Sequence, residues 1–497
     1  MDELDKRFTQ MFVGRTVRKD LVRNVKGSLN VPIFVLEYLL GKYCSSDDPQ
    51  IIQEGMEHVK SILKDHFVRP DERELVKSKI KENGTYRIID KIKVELRETE
   101  DKYWAKLVNL GLDYVNIDEM MISQYPHLLV GGVWAIIDII YHSENVFKGQ
   151  LRPFIIQSIK PIQLAVLDLE DIKLKRSKFT TNEWIDILLR SLGFATEAFN
   201  KRQKLLLLSR LFPLIENNYN FVELGPKGTG KSYAYTELSP YSILISGGKI
   251  TVAQLFMSNV GKFGRLGLVS YWDVVAFDEV AGMKVKDSER DTIQVLKDYM
   301  ESGRFSRGKD QNVASASFSF LGNIDLDIKS IASSSHLFSP FPEGMQDTAL
   351  IDRIHMYLPG WEIPKMKPEF FGNNYGFVIN YLAEFLKESR KIIRFDDMNK
   401  YFELGNKLNI RDTKATKKTV SAFLKLLHPD GQVTKEEMAS YVELGLEMRK
   451  RVKLQLAKMP GGSEFKDTQF SYVDKETGQE KFVMTPEEKE GDYEPEL

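Results

Sequence analysis

The chain has 497 residues, with 70 Lys and Arg against 71 Asp and Glu and a formal net charge of −1. No global basic excess marks a polyanion binder, although a neutral total is compatible with a local basic channel. One cysteine, Cys44, argues against an intrachain disulfide framework or a cysteine metal cluster and fits a reducing cytoplasm.

The first residues are charged and lack the apolar core of a signal peptide. The longest apolar run, 128–141, is broken by Asp138 and is too short for a membrane span. The expectation is a cytoplasmic protein without membrane contact. Residues 1–75 carry apolar positions at helical spacing, as in Ile33, Leu36 and Leu40. Residues 76–180 change texture: short alternating runs at 86–94, 103–107, 128–140 and 154–159 predict strands of a small barrel or sandwich. A helical linker is expected over 181–215. Over 216–362 apolar strand candidates at 220–224, 241–245, 274–277 and 318–321 alternate with helical stretches, the pattern of a parallel α/β sheet. Amphipathic helices are expected within 363–458, at 376–387, 417–427 and 435–456. The Gly-, Glu- and Pro-rich remainder, 459–497, reads as a flexible acidic tail.

Gly225-Pro226-Lys227-Gly228-Thr229-Gly230-Lys231-Ser232 fits the phosphate-loop pattern in full and follows an apolar strand. The glycines let backbone N–H groups face phosphate oxygens, and a following helix adds the positive end of its dipole. Lys231 is expected to neutralise the β- and γ-phosphates and Ser232 to ligate Mg²⁺. The strand 274–277 ends in Asp278 and Glu279. Asp278 suits the metal-holding acid and Glu279 the base that polarises water. A third strand ends at Asn323, placed to orient that water. Arg353 suits an arginine that reaches a neighbouring subunit's γ-phosphate. Each of the last two also reads as an ordinary turn or surface residue. The histidines 127, 142, 336, 355 and 428 show no metal-ligand spacing.

These elements in this order resemble the AAA+ ATPases. The resemblance makes Asp278 and Glu279 the Walker B pair and Asn323 sensor 1. Leu350-Ile351-Asp352-Arg353 resembles the arginine-finger segment of the Lon and MCM branch. The helices after 365 then resemble the AAA+ lid, where Arg411-Asp412-Thr413-Lys414-Ala415-Thr416-Lys417-Lys418 occupies the sensor 2 position; that position usually carries arginine, and Lys417 is the candidate here.

Ser246-Gly247-Gly248-Lys249-Ile250-Thr251, Tyr271-Trp272-Asp273-Val274-Val275-Ala276-Phe277-Asp278-Glu279 and Tyr299-Met300-Glu301-Ser302-Gly303-Arg304-Phe305-Ser306-Arg307-Gly308 resemble the BrxL family, the Lon-like ATPases of BREX phage-defence systems. The resemblance implies a multidomain α/β chain: an AAA+ P-loop core with an α-helical lid, preceded by a helical and β-barrel-like N-terminal domain of OB or MCM type. It implies ATP and Mg²⁺ as cofactors and a homo-oligomeric ring, a hexamer or double ring. Implied partners are double-stranded DNA and other BREX components. Longer relatives carry a protease-like C-terminal domain. No segment after the expected lid suits a Ser–Lys dyad, so peptidase activity is not expected.

Candidate DNA contacts are the loop around Lys262 and Arg265 and the hairpin tip with Arg307 and Lys309, since cations at loop tips can track a phosphate backbone. Each also reads as a solvated turn. Further candidates are Lys173, Lys175 and Arg176, with Arg15, Arg18, Lys19, Arg23 and Lys26 on helical faces. Tyr86, Tyr103 and Trp104 suit base stacking, although aromatics in strands more often belong to the core. Two rival functions stand beside a DNA motor: a Lon-like protein unfoldase, and a DNA-clamping scaffold gated by nucleotide.

Overall fold

β-branched residues at alternate positions bury one face of a strand, and five such strands close on each other in the first unit of the computed structural model. They are β1 (Thr85–Arg97), β2 (Lys102–Leu107), β3 (Leu112–Asn116), β4 (Val133–Tyr141) and β5 (Phe154–Pro161), joined in the closed order β1-β2-β3-β5-β4. β3 runs parallel to β5 and the other pairs are antiparallel. Ile88, Ile92, Val94, Ala105, Val115, Ala135, Ile137 and Ile139 fill the interior. Asp90 is fully buried and accepts the backbone N–H groups of Lys91, Asn109 and Leu110 at 2.6, 3.0 and 2.9 Å. These bonds satisfy a carboxylate that burial would otherwise penalise.

This unit comprises Met1–Leu167 and Asn373–Glu384; the second comprises Asp168–Gly372 and Phe385–Leu497. The structure describes every residue except 27–30, 45–47, 130–131, 163–166, 249–250, 259–264, 284–289, 308–309, 325–335 and 489–497, with backbone alone at a few adjoining positions. The helices Glu3–Met11, Lys19–Lys26, Ile33–Tyr43, Pro49–His66 and Arg73–Asn83 precede the barrel.

The second unit is built on five parallel strands: β6 (Asn220–Gly225), β7 (Ser242–Gly248), β8 (Val274–Met283), β9 (Ser317–Asn323) and β10 (Met356–Pro359). Their order is β7-β8-β9-β6-β10. All six residues of β6 are buried, as expected of a parallel strand covered on both faces. Phe277 stacks on Phe320 at 5.1 Å between ring centres, and Tyr299 packs on Phe318. Ligands of such sheets bind beyond the carboxyl ends of the strands, where the strand order switches. Here Gly225 and Asn323 are such ends, and Asp278 directly follows Phe277, the last β8 residue in register with β9.

Two antiparallel pairs stand apart from the sheet: Met257–Ser258 with Arg265–Leu266, and Arg304–Arg307 with Asp310–Val313. Two long helices follow, α1 (Ile410–Leu427) and α2 (Lys435–Leu456). Capping boxes start both, Asn409 with Asp412 and Thr434 with Glu437, closing orphan N–H groups at each helix start.

The segment expected to be a flexible tail is largely ordered, which corrects that expectation. Ser471–Asp474 and Glu480–Phe482 form a three-stranded sheet with Phe402–Leu404. Glu487 then pairs with buried Arg451 at 3.0 Å and Glu488 with Lys450 at 2.8 Å. Its acids therefore answer cations of α2, a pairing that composition alone does not disclose.

His428, between α1 and α2, is fully buried. Its Nδ1 lies 2.5 Å from the Gln432 carbonyl and its Nε2 lies 2.8 Å from the Tyr441 hydroxyl. A carbonyl can only accept, so the neutral ring carries its proton on Nδ1. Burial lowers its pKa from 6.5 to about 4, although Glu437 pulls the other way. A folded-state value below the unfolded one gives stability that is complete above pH 6.5 and is lost as pH falls towards 4. We expect His428→Gln to remove about 2 kcal/mol of the stability loss between pH 7 and pH 5. Urea melts of parent and variant at both pH values check this; parallel pH profiles would contradict it.

Candidate nucleotide-binding site

The phosphate loop leaves β6 under tight packing. A Cβ on Gly225 would meet the Gly360 backbone at 2.5 Å, so only glycine fits there. Gly228 and Gly230 have φ of +83° and +76°, a region costly to residues with a side chain. The loop is pinned by its backbone. The Met366 N–H donates to the Gly228 carbonyl at 2.8 Å, and Arg210 Nη1 donates to the Thr229 carbonyl at 2.9 Å. Lys231 is mostly buried, its Nζ donating to the carbonyls of Gly225 (3.1 Å) and Pro226 (2.7 Å).

The helix after the loop, Tyr233–Thr236, has only four residues. It supplies the field of one turn rather than of a long dipole, which corrects the expected helix. The local field therefore rests mainly on the loop's N–H groups and Lys231.

Ser232 Oγ donates to Asp278 Oδ2 at 2.6 Å, joining the phosphate loop to β8. Asp278 Oδ1 accepts the Glu279 N–H at 2.9 Å. Glu279 itself is exposed, with φ +51°. Among the described residues the other non-glycine positions with positive φ, Asp101, Lys148 and Asn218, stand in turns. Glu279 alone of these lies in a strand, and such strain persists only where surroundings over-determine it. Asn323 is the register partner of Gly225, and the Ile324 N–H donates to the Gly225 carbonyl at 3.1 Å. Gly225 and Asn323 thus come from the ends of neighbouring strands, Asp278 and Glu279 from within β8, and Lys231 and Ser232 from the loop that follows β6.

Arg353 follows the short helix Thr348–Ile351. Its carbonyl accepts from Asn220 Nδ2 at 2.8 Å, and its Nη1 donates to the Ala349 carbonyl. Its Nε stands 3.3 Å from Glu301 Oε2 as an ion pair, without hydrogen-bond alignment.

Lys417, expected near the sensor 2 position, is spent on Asp396 at 2.7 Å. The helix cations beside Arg353 are Arg411, which opens the segment 411–418 read as the sensor 2 position, and Arg449, which the sequence did not single out.

Lys262 and Lys309 lie outside the described residues, and of Arg265 and Arg307 only the backbone is described. Lys173 and Lys175 pair with Glu170 and Asp171 at 2.6 and 2.7 Å. Arg176 is buried and donates to the carbonyls of Leu427 (2.8 Å) and Phe179 (2.7 Å). That corrects its reading as a phosphate contact: its donors are consumed inside the fold. Lys19 is likewise buried, on Glu37 (2.7 Å) and the Phe377 carbonyl (2.6 Å). Trp104 is buried, its Nε1 donating to Glu100 at 2.6 Å with its ring against Phe147, which corrects the stacking reading.

Sequence reading also missed Arg210. It makes two bonds to fully buried Glu223, at 3.0 and 2.6 Å, besides holding the loop. The signal was available, since a glutamate inside the apolar strand Asn220–Gly225 demands a buried cation.

The ATPase-domain family described as "Lon-like protease BrxL-like, ATPase domain" matches residues 154–471. The chain belongs to the BrxL family. The family described as "BREX system Lon protease-like protein BrxL N-terminal" matches residues 10–141. The Lon-like protease BrxL of Bacillus cereus (strain H3081.97) is 50% identical over 497 residues, which are 100% of this chain and 73% of that protein. The Lon-like protease BrxL of Escherichia coli O9:H4 (strain HS) is 49% identical over 486 residues, 98% of this chain and 69% of that one. Among solved structures, a full-length MCM homolog from Methanopyrus kandleri aligns with a TM-score of 0.41 at 12% identity, over 90% of this chain and 99% of that one. The phosphate loop, Asp278, Glu279, Asn323 and Arg353 all fall within the BrxL ATPase domain. Among the described residues no helix is long and apolar enough to cross a membrane.

Proposed function

We propose that this BrxL-family chain is an ATP-hydrolysing ring subunit that moves on or remodels double-stranded DNA in BREX defence. The observation that carries the ATPase half is the 2.6 Å bond between Ser232 and Asp278. It sets a hydroxyl and a carboxylate side by side, as a Mg²⁺ held chiefly by phosphates and one or two protein oxygens requires. The donor set therefore fits ATP with Mg²⁺: loop N–H groups and Lys231 for the phosphates, Ser232 and Asp278 for the metal. Bound ATP supplies the phosphoanhydride, and Mg²⁺ offsets its charge. Glu279 holds and polarises the attacking water, with Asn323 beside it. Arg353, with no observed bond to its own phosphate loop, is read as the cation that completes a neighbour's site, which makes a ring, hexamer or double ring, the expected assembly. Helices α1 and α2 are read as the lid. The five-stranded barrel order, with its one parallel pair, supports an OB-like reading of the N-terminal part.

The DNA half rests on the family and on Lys262, Arg265, Arg307 and Lys309 as the cations that the sequence offers for phosphate contact. Steady-state ATPase assays with duplex DNA and, separately, an unfolded polypeptide test it. Duplex DNA is expected to stimulate hydrolysis several-fold, with stimulation fading steeply as salt rises. Stimulation by polypeptide alone would favour an unfoldase.

A further inference from the structure

Asp352, immediately before Arg353, is buried and accepts three cations. Its Oδ1 takes Arg449 Nη2 and Lys453 Nζ, both at 2.6 Å, and its Oδ2 takes Arg411 Nη1 at 2.8 Å. All three come from α1 and α2. Arg449 also donates to Asp412 Oδ1 at 2.8 Å and to the Ile354 carbonyl at 2.6 Å. The segment 352–354 is therefore bonded to both helices through side chain and backbone.

On the other side, Glu301 Oε2 accepts Arg411 Nε at 2.9 Å and faces Arg353 Nε at 3.3 Å. Arg411 thus touches both acids that flank Arg353. Three acids, Glu301, Asp352 and Asp412, stand among four cations, Arg353, Arg411, Arg449 and Lys453. Arg353 holds the loosest share, an ion pair without hydrogen-bond alignment. Of the four it is the one released most readily.

We infer that Arg411 and Asp352 are positioning residues that fasten the arginine-finger segment to the α1–α2 helices and thereby set the direction of Arg353. This rests on reading Arg353 as a finger for a neighbouring site. Where these helices shift with the nucleotide state of their own subunit, they carry the finger segment with them. One subunit's nucleotide then acts on the next subunit's hydrolysis through Asp352. A bistable element biased by both sites is what such coupling requires.

The test is a double-mutant cycle on the full chain, with Arg411→Gln, Arg353→Ala and the pair. Arg411 is chosen because it is 38% exposed and its loss leaves Asp352 with Arg449 and Lys453. ATP turnover, KM and melting temperature are read for each. Arg353→Ala is expected to lower kcat about 100-fold and Arg411→Gln about tenfold, with KM within about twofold and little change in melting. The double variant is expected to match Arg353→Ala alone, because Arg411 acts only through Arg353. Multiplicative losses, or an unchanged kcat in Arg411→Gln while Arg353→Ala is impaired, would overturn the positioning role alone. An unchanged kcat in Arg353→Ala would overturn the finger reading and this inference with it.

Discussion

Replacing Glu279 with glutamine is expected to lower ATP turnover by about 10²–10⁴-fold while ATP still binds. Glutamine keeps the size of the side chain and the backbone at φ +51° but removes the carboxylate that would polarise water. Nothing in the phosphate loop depends on it: the loop is pinned by Met366 and Arg210, and Ser232 bonds Asp278. Asp278 Oδ1, which accepts the Glu279 N–H, and the fully buried Val280 hold this strained strand position in place. Lys231→Ala should behave differently, losing nucleotide binding itself, because the loop's ammonium is gone. Fluorescent-nucleotide titration together with phosphate release separates the two. Turnover by Glu279→Gln within about threefold of the parent would remove Glu279 from the chemistry. The same variant divides motor from scaffold: a scaffold that only clamps DNA would keep phage defence with Glu279→Gln, whereas a motor would lose it.

The parts of this site that were legible in sequence are those whose chemistry is local. A phosphate loop is one contiguous run, and Asp278, Glu279 and Asn323 end runs of apolar strand residues. β10 escaped notice because Met356-Tyr357-Leu358-Pro359 is too short for a period and abuts Pro-Gly. β3 escaped because Leu-Asp-Tyr-Val-Asn buries only Val115. Charges were visible but their partners were not. Arg176, Lys19 and Arg449 look like surface cations, yet each is buried on acids or carbonyls distant in sequence. The choice of Lys417 followed from the resemblance of 411–418 to the sensor 2 segment. The bonds of Arg411 to Glu301 and Asp352 follow from tertiary placement, which no local pattern encodes.

The same dependence of a local motif on a distant charge leads to the second large effect. Arg210→Ala is expected to destabilise the second unit by about 3–5 kcal/mol. Glu223 sits in the middle of β6 with no solvent exposure, and Arg210 meets both of its oxygens. Removing the guanidinium leaves a carboxylate in a strand covered on both faces, and among the described residues no other cation is paired with it. The change also frees the Thr229 carbonyl, so Gly228 and Gly230 lose one of the bonds that hold their left-handed conformations. Nucleotide affinity should fall about tenfold, the worth of one charge-assisted hydrogen bond. Urea unfolding and nucleotide titration read the two effects. Arg210→Met with Glu223→Gln divides them: it removes both charges and should recover most of the stability, because the buried charge was the main cost. It should not recover the affinity, because the loop carbonyl still lacks its donor. A single variant that lost under about 1 kcal/mol would show that Glu223 is not the buried charge its position makes it.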